Sequence, residues 1–255
     1  VLFNCDRLED EQIRKALSLA IDRSALAELA GVTAQAAAGL VPPGVPEGEK
    51  DFRTTGGNLL DHDGETYEDR CREAVELMQE AGYDRGSDLS TELGAPEYLY
   101  VDEGANAAVA AAVCEMWNQC LGLRVTPRAV TKTELVTAMR GGEYTLAGME
   151  LDAVCNDAEC FLMDWMTGNQ NNFLHYENSA YDTLMSIIAS AEDGTARMGC
   201  LHDAEDLLLE IDCALAPLYT TGTAWQLRDT YGGGFRDPRG WFDFRGVYLK
   251  PVTVQ

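Results

Sequence analysis

The side chains best able to do chemistry here are acids and thiols that stand apart from one another. Asp152 and Asp157 lie in the stretch Gly148-Met149-Glu150-Leu151-Asp152-Ala153-Val154-Cys155-Asn156-Asp157. Paired carboxylates can divide acid and base roles or hold a divalent ion. Neither role has its usual company in this chain. His62, His175 and His202 are scattered, and no Ser-His-Asp or Cys-His arrangement stands out. No Gly-x-Ser-x-Gly elbow is present. Gly232-Gly233-Gly234 lacks the Lys-Ser/Thr and the following helix that a phosphate loop needs. An acid-dependent enzyme is therefore the weaker reading, and no catalytic residue is assigned.

The thiols are Cys5, Cys71, Cys114, Cys120, Cys155, Cys160, Cys200 and Cys213. An even count permits disulfides in an oxidising compartment. Cys71, Cys114, Cys200 and Cys213 sit at apolar helical positions, where a reduced thiol serves as a small buried hydrophobe. Cys155 and Cys160 share a loop-like stretch and are the best placed for a bridge. Neither C-x4-C nor C-x5-C has a matching second pair, so no zinc site is expected, nor any cofactor.

The elements that must position these groups interleave along the chain. Helical spacing runs through Ile13, Ala16, Leu17, Ala20 and Ile21, with Arg14 and Lys15 on the opposite face. Ser24 is a candidate cap for a second helix, which Gly31 ends. Further helices are expected over 67–82, 106–121, 131–139, 158–166, 180–191 and 195–212. In the last of these Leu201, Ala204, Leu208 and Ile211 form one side, with Glu205 elsewhere. Strands are expected at Phe3-Asn4 and over 90–95, 123–127, 144–149, 216–220 and 247–249, with loops over 34–48 and 51–65. This alternation predicts an α/β fold with a mixed sheet covered by helices.

Composition narrows the partners. The 255 residues hold 19 Lys plus Arg against 43 Asp plus Glu, a formal charge of −24. So acidic a surface repels phosphate backbones, and no nucleic-acid partner is expected. No apolar run reaches the ~18 residues of a membrane span. The chain opens on Val1-Leu2-Phe3-Asn4 like the middle of a strand, so a piece of a longer protein is expected, with any signal segment outside it.

Several stretches together resemble the bacterial extracellular solute-binding proteins of family 5, which serve oligopeptide, dipeptide and nickel ABC importers. Asp10-Glu11-Gln12-Ile13-Arg14-Lys15-Ala16-Leu17-Ser18-Leu19-Ala20-Ile21-Asp22-Arg23 is similar to the family's "D-x-x-V-R-x-A-L-x-x-A-I-D-R". Gly39-Leu40-Val41-Pro42-Pro43-Gly44 resembles its "G-x-x-P-P" loop, and Glu80-Ala81-Gly82-Tyr83 its "E-A-G-Y" helix end. Met116-Trp117-Asn118-Gln119-Cys120-Leu121-Gly122-Leu123, Tyr181-Asp182-Thr183-Leu184 and Ala216-Pro217-Leu218-Tyr219 follow in the family's order.

The resemblance implies the second lobe of a type II periplasmic-binding-protein-like fold. Residues 1–221 would form that lobe, and 222–255 would return to a first lobe absent from this chain, leaving Trp241, Phe242 and Phe244 exposed. It implies a receptor that captures a peptide or similar small solute between lobes and presents it to a membrane permease. Such receptors are extracytoplasmic, at the cell surface or in the periplasm, and lipid-anchored. A sensor reusing the fold is the alternative.

It also implies site residues. Asp152 matches the family's acid that pairs with a ligand ammonium, Met149 stands where Trp is usual, and Asp157 matches a second Asp. Asn4 at the hinge, and Tyr98 and Tyr100 beyond the strand near Leu93, complete the candidate ligand-binding set. For Asp152 the alternative is a helix cap or a solvated loop acid.

Overall fold

In the computed structural model, which describes residues 1–60, 64–222, 228–236 and 242–251, strands and helices alternate as the sequence pattern requires. The chain begins with β1 (Leu2–Phe3), α1 (Glu11–Leu19), α2 (Arg23–Ala30), β2 (Ala34–Ala36), β3 (Pro46–Glu47), β4 (Lys50–Asp51) and α3 (Phe52–Gly56). Then come α4 (Tyr67–Glu80), α5 (Gly86–Glu92), β5 (Glu97–Val101), α6 (Asn106–Leu121), β6 (Thr126–Val130), α7 (Lys132–Arg140) and β7 (Leu146–Ala147). The remainder is α8 (Glu159–Leu162), α9 (Ser179–Ser190), α10 (Gly194–Asp206), β8 (Tyr219–Thr221), β9 (Tyr231–Gly232), β10 (Phe235–Arg236), β11 (Phe242–Asp243) and β12 (Tyr248–Leu249). No helix among the described residues is long and apolar enough to cross a membrane.

A mixed sheet in the order β1-β7-β5-β6 forms the centre. β1 runs antiparallel to β7, while β5 runs parallel to both β7 and β6. Strand side chains alternate between faces, and the register sorts them cleanly. Leu2, Leu99 and Ala147 enter one core with Leu135, Met139, Leu162 and Tyr181. Phe3, Tyr98 and Leu146 enter the other with Ile13, Leu17, Val113 and Trp117. Helices therefore cover both faces, the expected mixed α/β arrangement.

Local chemistry explains most helix ends. Asp10 caps α1 by accepting from the Gln12 amide at 2.8 Å. Thr131 and Glu134 form a capping box on α7, and Thr66 with Asp69 forms another on α4. Gly122 ends α6 at φ 68°, a left-handed conformation that favours glycine.

Several expectations are corrected. Asp22, not Ser24, caps α2, because its carboxylate reaches the Ala25 amide at 3.0 Å. Residues 90–95 are not a strand: α5 occupies Gly86–Glu92, and the strand lies at Glu97–Val101, where Glu97, Tyr98, Leu99, Tyr100 and Val101 alternate. The stretches read as loops contain β2, β3, β4 and α3. Arg14 is buried, and its guanidinium donates to the carbonyls of Leu8, Glu9 and Asp212. After α10 a π-helical turn at Leu207–Ile211 rotates the register and leaves Ile211 61% exposed, while Glu205, within α10, is wholly buried against its partners.

Glu205 anchors a second structural device. Its Oε1 accepts from the Leu40 and Val41 amides, each at 2.8 Å, and Arg53 Nη1 donates to Oε1 and Oε2 at 2.8 and 2.9 Å. The pair ties α10 to the Gly39–Val41 turn and to α3. Gly39 is obligatory there, since a β-carbon would lie 2.7 Å from Glu205 Oε1 and closer still to Arg53. Arg53 Nε and Nη2 are buried without a partner among the described residues, so the interaction specifies the packing at an energetic cost.

The end of the described chain is different in kind. β9 pairs with β12 and β10 with β11, in two-stranded ladders apart from the main sheet. Phe244 is 70% exposed, as expected, and Leu249 is 69% exposed, whereas Phe242 is half-buried and Trp241 lies outside the described residues.

Two substitutions test the Glu205 anchor by urea unfolding. Glu205→Gln strands the buried Arg53 cation and is expected to lower stability by about 3–5 kcal/mol. The Glu205→Gln, Arg53→Met double variant is expected to lose less, and a larger loss would show that the pair is not the anchor.

Candidate functional site

The site grows from the carboxyl end of β7. There the chain leaves the sheet at Gly148, whose amide still donates to the Leu99 carbonyl at 2.8 Å. Beneath it lies Tyr98, 2% exposed and edge-on to Trp117 with ring centroids 6.0 Å apart. Trp117 is itself pinned by its indole N–H donating to the Leu17 carbonyl at 2.8 Å. The Tyr98 phenol crowds the α-carbon of Gly148 so closely that a β-carbon would sit 2.9 Å from the ring carbon Cζ. Burial holds the Tyr98 hydroxyl well above its ordinary pKa, with Cys114 and Tyr219 adding to it.

Past Gly148 the chain is displayed outward. Met149 is 36% exposed, Leu151 37% and Val154 75%, and Glu150 and Asp152 are exposed between them. Asp152 caps no helix and has no hydrogen-bond or ion-pair partner among the described residues. Tyr219 on β8 is half-buried, and its phenol is raised first by burial and then by the Glu150 carboxylate. Phenols, two solvated acids and apolar side chains thus converge on one strand end.

The far end of this displayed segment is clamped. Cys155 and Cys160 are disulfide-bonded, as their shared loop suggested, with α-carbons 6.0 Å apart. Asp157 is bonded to Arg197 of α10 at 2.8 Å, and Arg197 also holds Glu159 at 2.6 Å. Burial pushes the Asp157 carboxyl up, but hydrogen bonds from Arg197 and the Glu159 amide outweigh it and hold the group below its ordinary range. The Asn156 amide donates to the Gly44 carbonyl at 3.3 Å. The segment between Gly148 and Cys155 is thus held at both ends and free in the middle. Such an arrangement suits recognition, because little ordering remains to be done on binding.

A model of the bacterial extracellular solute-binding proteins, family 5 Middle, matches residues 1–173. The chain belongs to this family. It is 28% identical over 252 residues to the probable deoxycholate-binding periplasmic protein YgiS of Escherichia coli (strain K12), a match covering 97% of this chain and 44% of YgiS. It is 24% identical over 246 residues to the dipeptide-binding protein DppE of Bacillus subtilis (strain 168), covering 95% of this chain and 43% of DppE. The crystal structure of the substrate-binding domain of an oligopeptide ABC transporter from Bacillus anthracis str. Ames superposes with a TM-score of 0.76 at 21% identity, covering 96% of this chain and 46% of that one. That likeness establishes the fold. The chain spans less than half the length of the curated relatives it matches.

Within this family frame, the structure brings together some of the residues singled out from the sequence and separates others. Met149 and Asp152 share the displayed segment, with Tyr98 beneath its root. Tyr100 lies two residues further along β5 on the face of Tyr98 and is half-buried. Asn4 is elsewhere: β1 runs antiparallel to β7, so it lies beside Thr145, on the far side from Gly148. It is 1% exposed, its amide donating to the Gly142 and Tyr144 carbonyls at 3.1 and 2.7 Å and its Oδ1 accepting from the Asp6 amide at 3.1 Å. Asn4 is thus a structural clasp. Asp157 likewise has its carboxylate occupied by Arg197 and by the Glu159 amide. Glu150 stands within the displayed segment itself, while Tyr219 and Arg197 join the site from β8 and α10, and no local spacing announced them because each acts across a long sequence separation.

Two measurements check this geometry. Gly148→Ala should destabilise the protein by about 1–3 kcal/mol through overpacking against Tyr98, and Tyr98→Phe in the same chain should recover part of the loss. The Asp157 carboxyl is depressed in the folded state, so the stability it contributes is full above the ordinary carboxylate range and disappears as pH falls through the depressed value. Arg197→Gln should therefore weaken the fall in melting temperature across that acid window, and an unchanged acid limb would remove the clamp from this account.

Proposed function

We propose that this chain forms one wall of the solute cleft of an ABC-importer receptor, with the Met149–Val154 segment as its recognition surface and Asp152 as the acceptor of a ligand ammonium. The observation that carries the reading is Asp152 itself, an unpartnered carboxylate displayed at a strand end among apolar side chains. A carboxylate so placed gains a charge-assisted hydrogen bond when a cationic group arrives and water leaves. Glu150 beside it adds to the negative field. Met149 offers a soft, adaptable wall for ligand side chains.

The relatives named for dipeptides and for deoxycholate pose a choice of solute class. Deoxycholate is an anion, which two solvated carboxylates at the cleft wall would repel, whereas a peptide with a free amino terminus brings the complementary charge. We therefore favour an amine-bearing peptide. The protein acts by capture and release, without chemistry on the solute, and a membrane permease receives the closed form. Residues 1–221 serve as one lobe and 222–255 rejoin a first lobe, a division supported by the separate ladders and exposed apolar side chains of the terminal segment. The Cys155–Cys160 bridge supports an extracytoplasmic location, since disulfides persist in oxidising compartments.

Calorimetry on the complete protein tests the assignment, with free and N-acetylated peptides and deoxycholate as titrants. Free peptides should bind, acetylation should weaken them, and Asp152→Asn should cost roughly tenfold or more in affinity, the worth of a charged hydrogen bond. Deoxycholate binding that persists or tightens in Asp152→Asn, with no response to peptides, would replace the peptide assignment with a bile-acid one.

A further inference from the structure

Helices α4 and α6 pack together on one face of the sheet and bring two thiols side by side. Cys120 Sγ lies 3.7 Å from the backbone carbonyl of Cys71, close enough for the two side chains to interact. Tyr67, one turn before Cys71 on α4, donates its hydroxyl to the Ala20 carbonyl at 3.1 Å and so ties this turn of α4 to the end of α1. Both cysteines are half-buried, unlike Cys114 and Cys213, which are buried. A small molecule can reach them. The same chain carries the Cys155–Cys160 bridge.

We propose that Cys71 and Cys120 are a second disulfide site, which cross-links α4 to α6 by exchange with a small-molecule disulfide such as oxidised glutathione. The Cys71 thiol gives its proton to solvent and attacks one sulfur of the external disulfide, and one external thiolate leaves. The Cys120 thiolate then attacks the Cys71 sulfur of the mixed disulfide and expels the second thiolate. Two protein thiols are oxidised, and one external disulfide is reduced to two thiols. Burial raises the Cys120 thiol well above its ordinary pKa, with the neighbouring Cys71 adding to it. Resolution by Cys120 needs its thiolate and therefore quickens as pH rises. The new bond spans a sequence separation of 49 residues, long enough to restrict the unfolded chain substantially.

Incubating the complete protein with oxidised glutathione at about pH 8.5, blocking the remaining thiols and mapping non-reduced peptides by mass spectrometry tests this directly. The expected product is a peptide pair joined through Cys71 and Cys120, with the melting temperature raised by about 5 °C or more. Cys120→Ser should instead accumulate a stable glutathione adduct on Cys71. If natively folded wild-type protein carries both cysteines as blocked thiols or as separate glutathione adducts, or joins either to another cysteine, the proposal is overturned.

Discussion

β7 offers only two residues of regular strand, yet both of its edges are paired, with β1 antiparallel on one side and β5 parallel on the other. Because strand side chains alternate, Leu146 must enter one core and Ala147 the other. A slip of one residue would exchange them and place a leucine where only a methyl fits. This register fixes the point at which the chain leaves the sheet over Tyr98, where a β-carbon on residue 148 would crowd the phenol. It therefore fixes where Met149 to Asp152 emerge. The Cys155–Cys160 bridge and Arg197 then secure the other end, so the exposed acid lies between two anchored points.

The interior polar groups share a theme. Arg14, Arg23, Arg53 and Arg70 are buried, whereas Glu205 is the one buried acid among the described residues. Arg14 donates to the Asp212 carbonyl and Arg23 to the Pro217 carbonyl, so cations from the first two helices hold the segment that runs back beside β1. There the Ala216 amide reaches the Val1 carbonyl at 2.9 Å. Drawing arginines inward to bond backbone carbonyls leaves the surface more acidic than the composition alone suggests. An acidic surface favours solubility and attracts cationic solutes.

Much of this was legible from residue order. The helices over 67–82, 106–121 and 131–139 were readable because the groups that cap or end them, such as Thr66, Thr131 and Gly122, lie within a turn of them. The core face of α1 followed from helical spacing. What the sequence concealed was non-local. Leu89 and Leu93 flank a stretch short enough to be helix or strand, and packing decided for helix, since Leu89 is buried in the core that also holds Leu121 and Leu123. Glu205 looked solvated because its partners, Leu40, Val41 and Arg53, stand some 150 or more positions earlier. Arg14 looked exposed for the same reason. At the candidate site, Asp152 and Met149 were expected from the resemblance of a local segment, while Tyr219 and Arg197 reach it only through the folded chain. Asn4 lies at the other end of β7 because strand direction, not sequence proximity to the hinge, decides which end of the sheet a residue occupies.

On the receptor reading, the charge at the cleft wall also governs closure. In the open form Glu150 and Asp152 face water, where two nearby carboxylates cost little. A partner lobe closing over them removes that water and lowers the local dielectric, so their repulsion and desolvation grow together. Closure without a compensating cation is then opposed by the same groups that favour closure with one. A ligand ammonium reverses the sign by pairing with a carboxylate as water leaves. Selectivity would therefore come as much from the penalty on empty or anion-filled closure as from the attraction of the cationic ligand, and the two exposed acids of one short segment are sufficient to supply both.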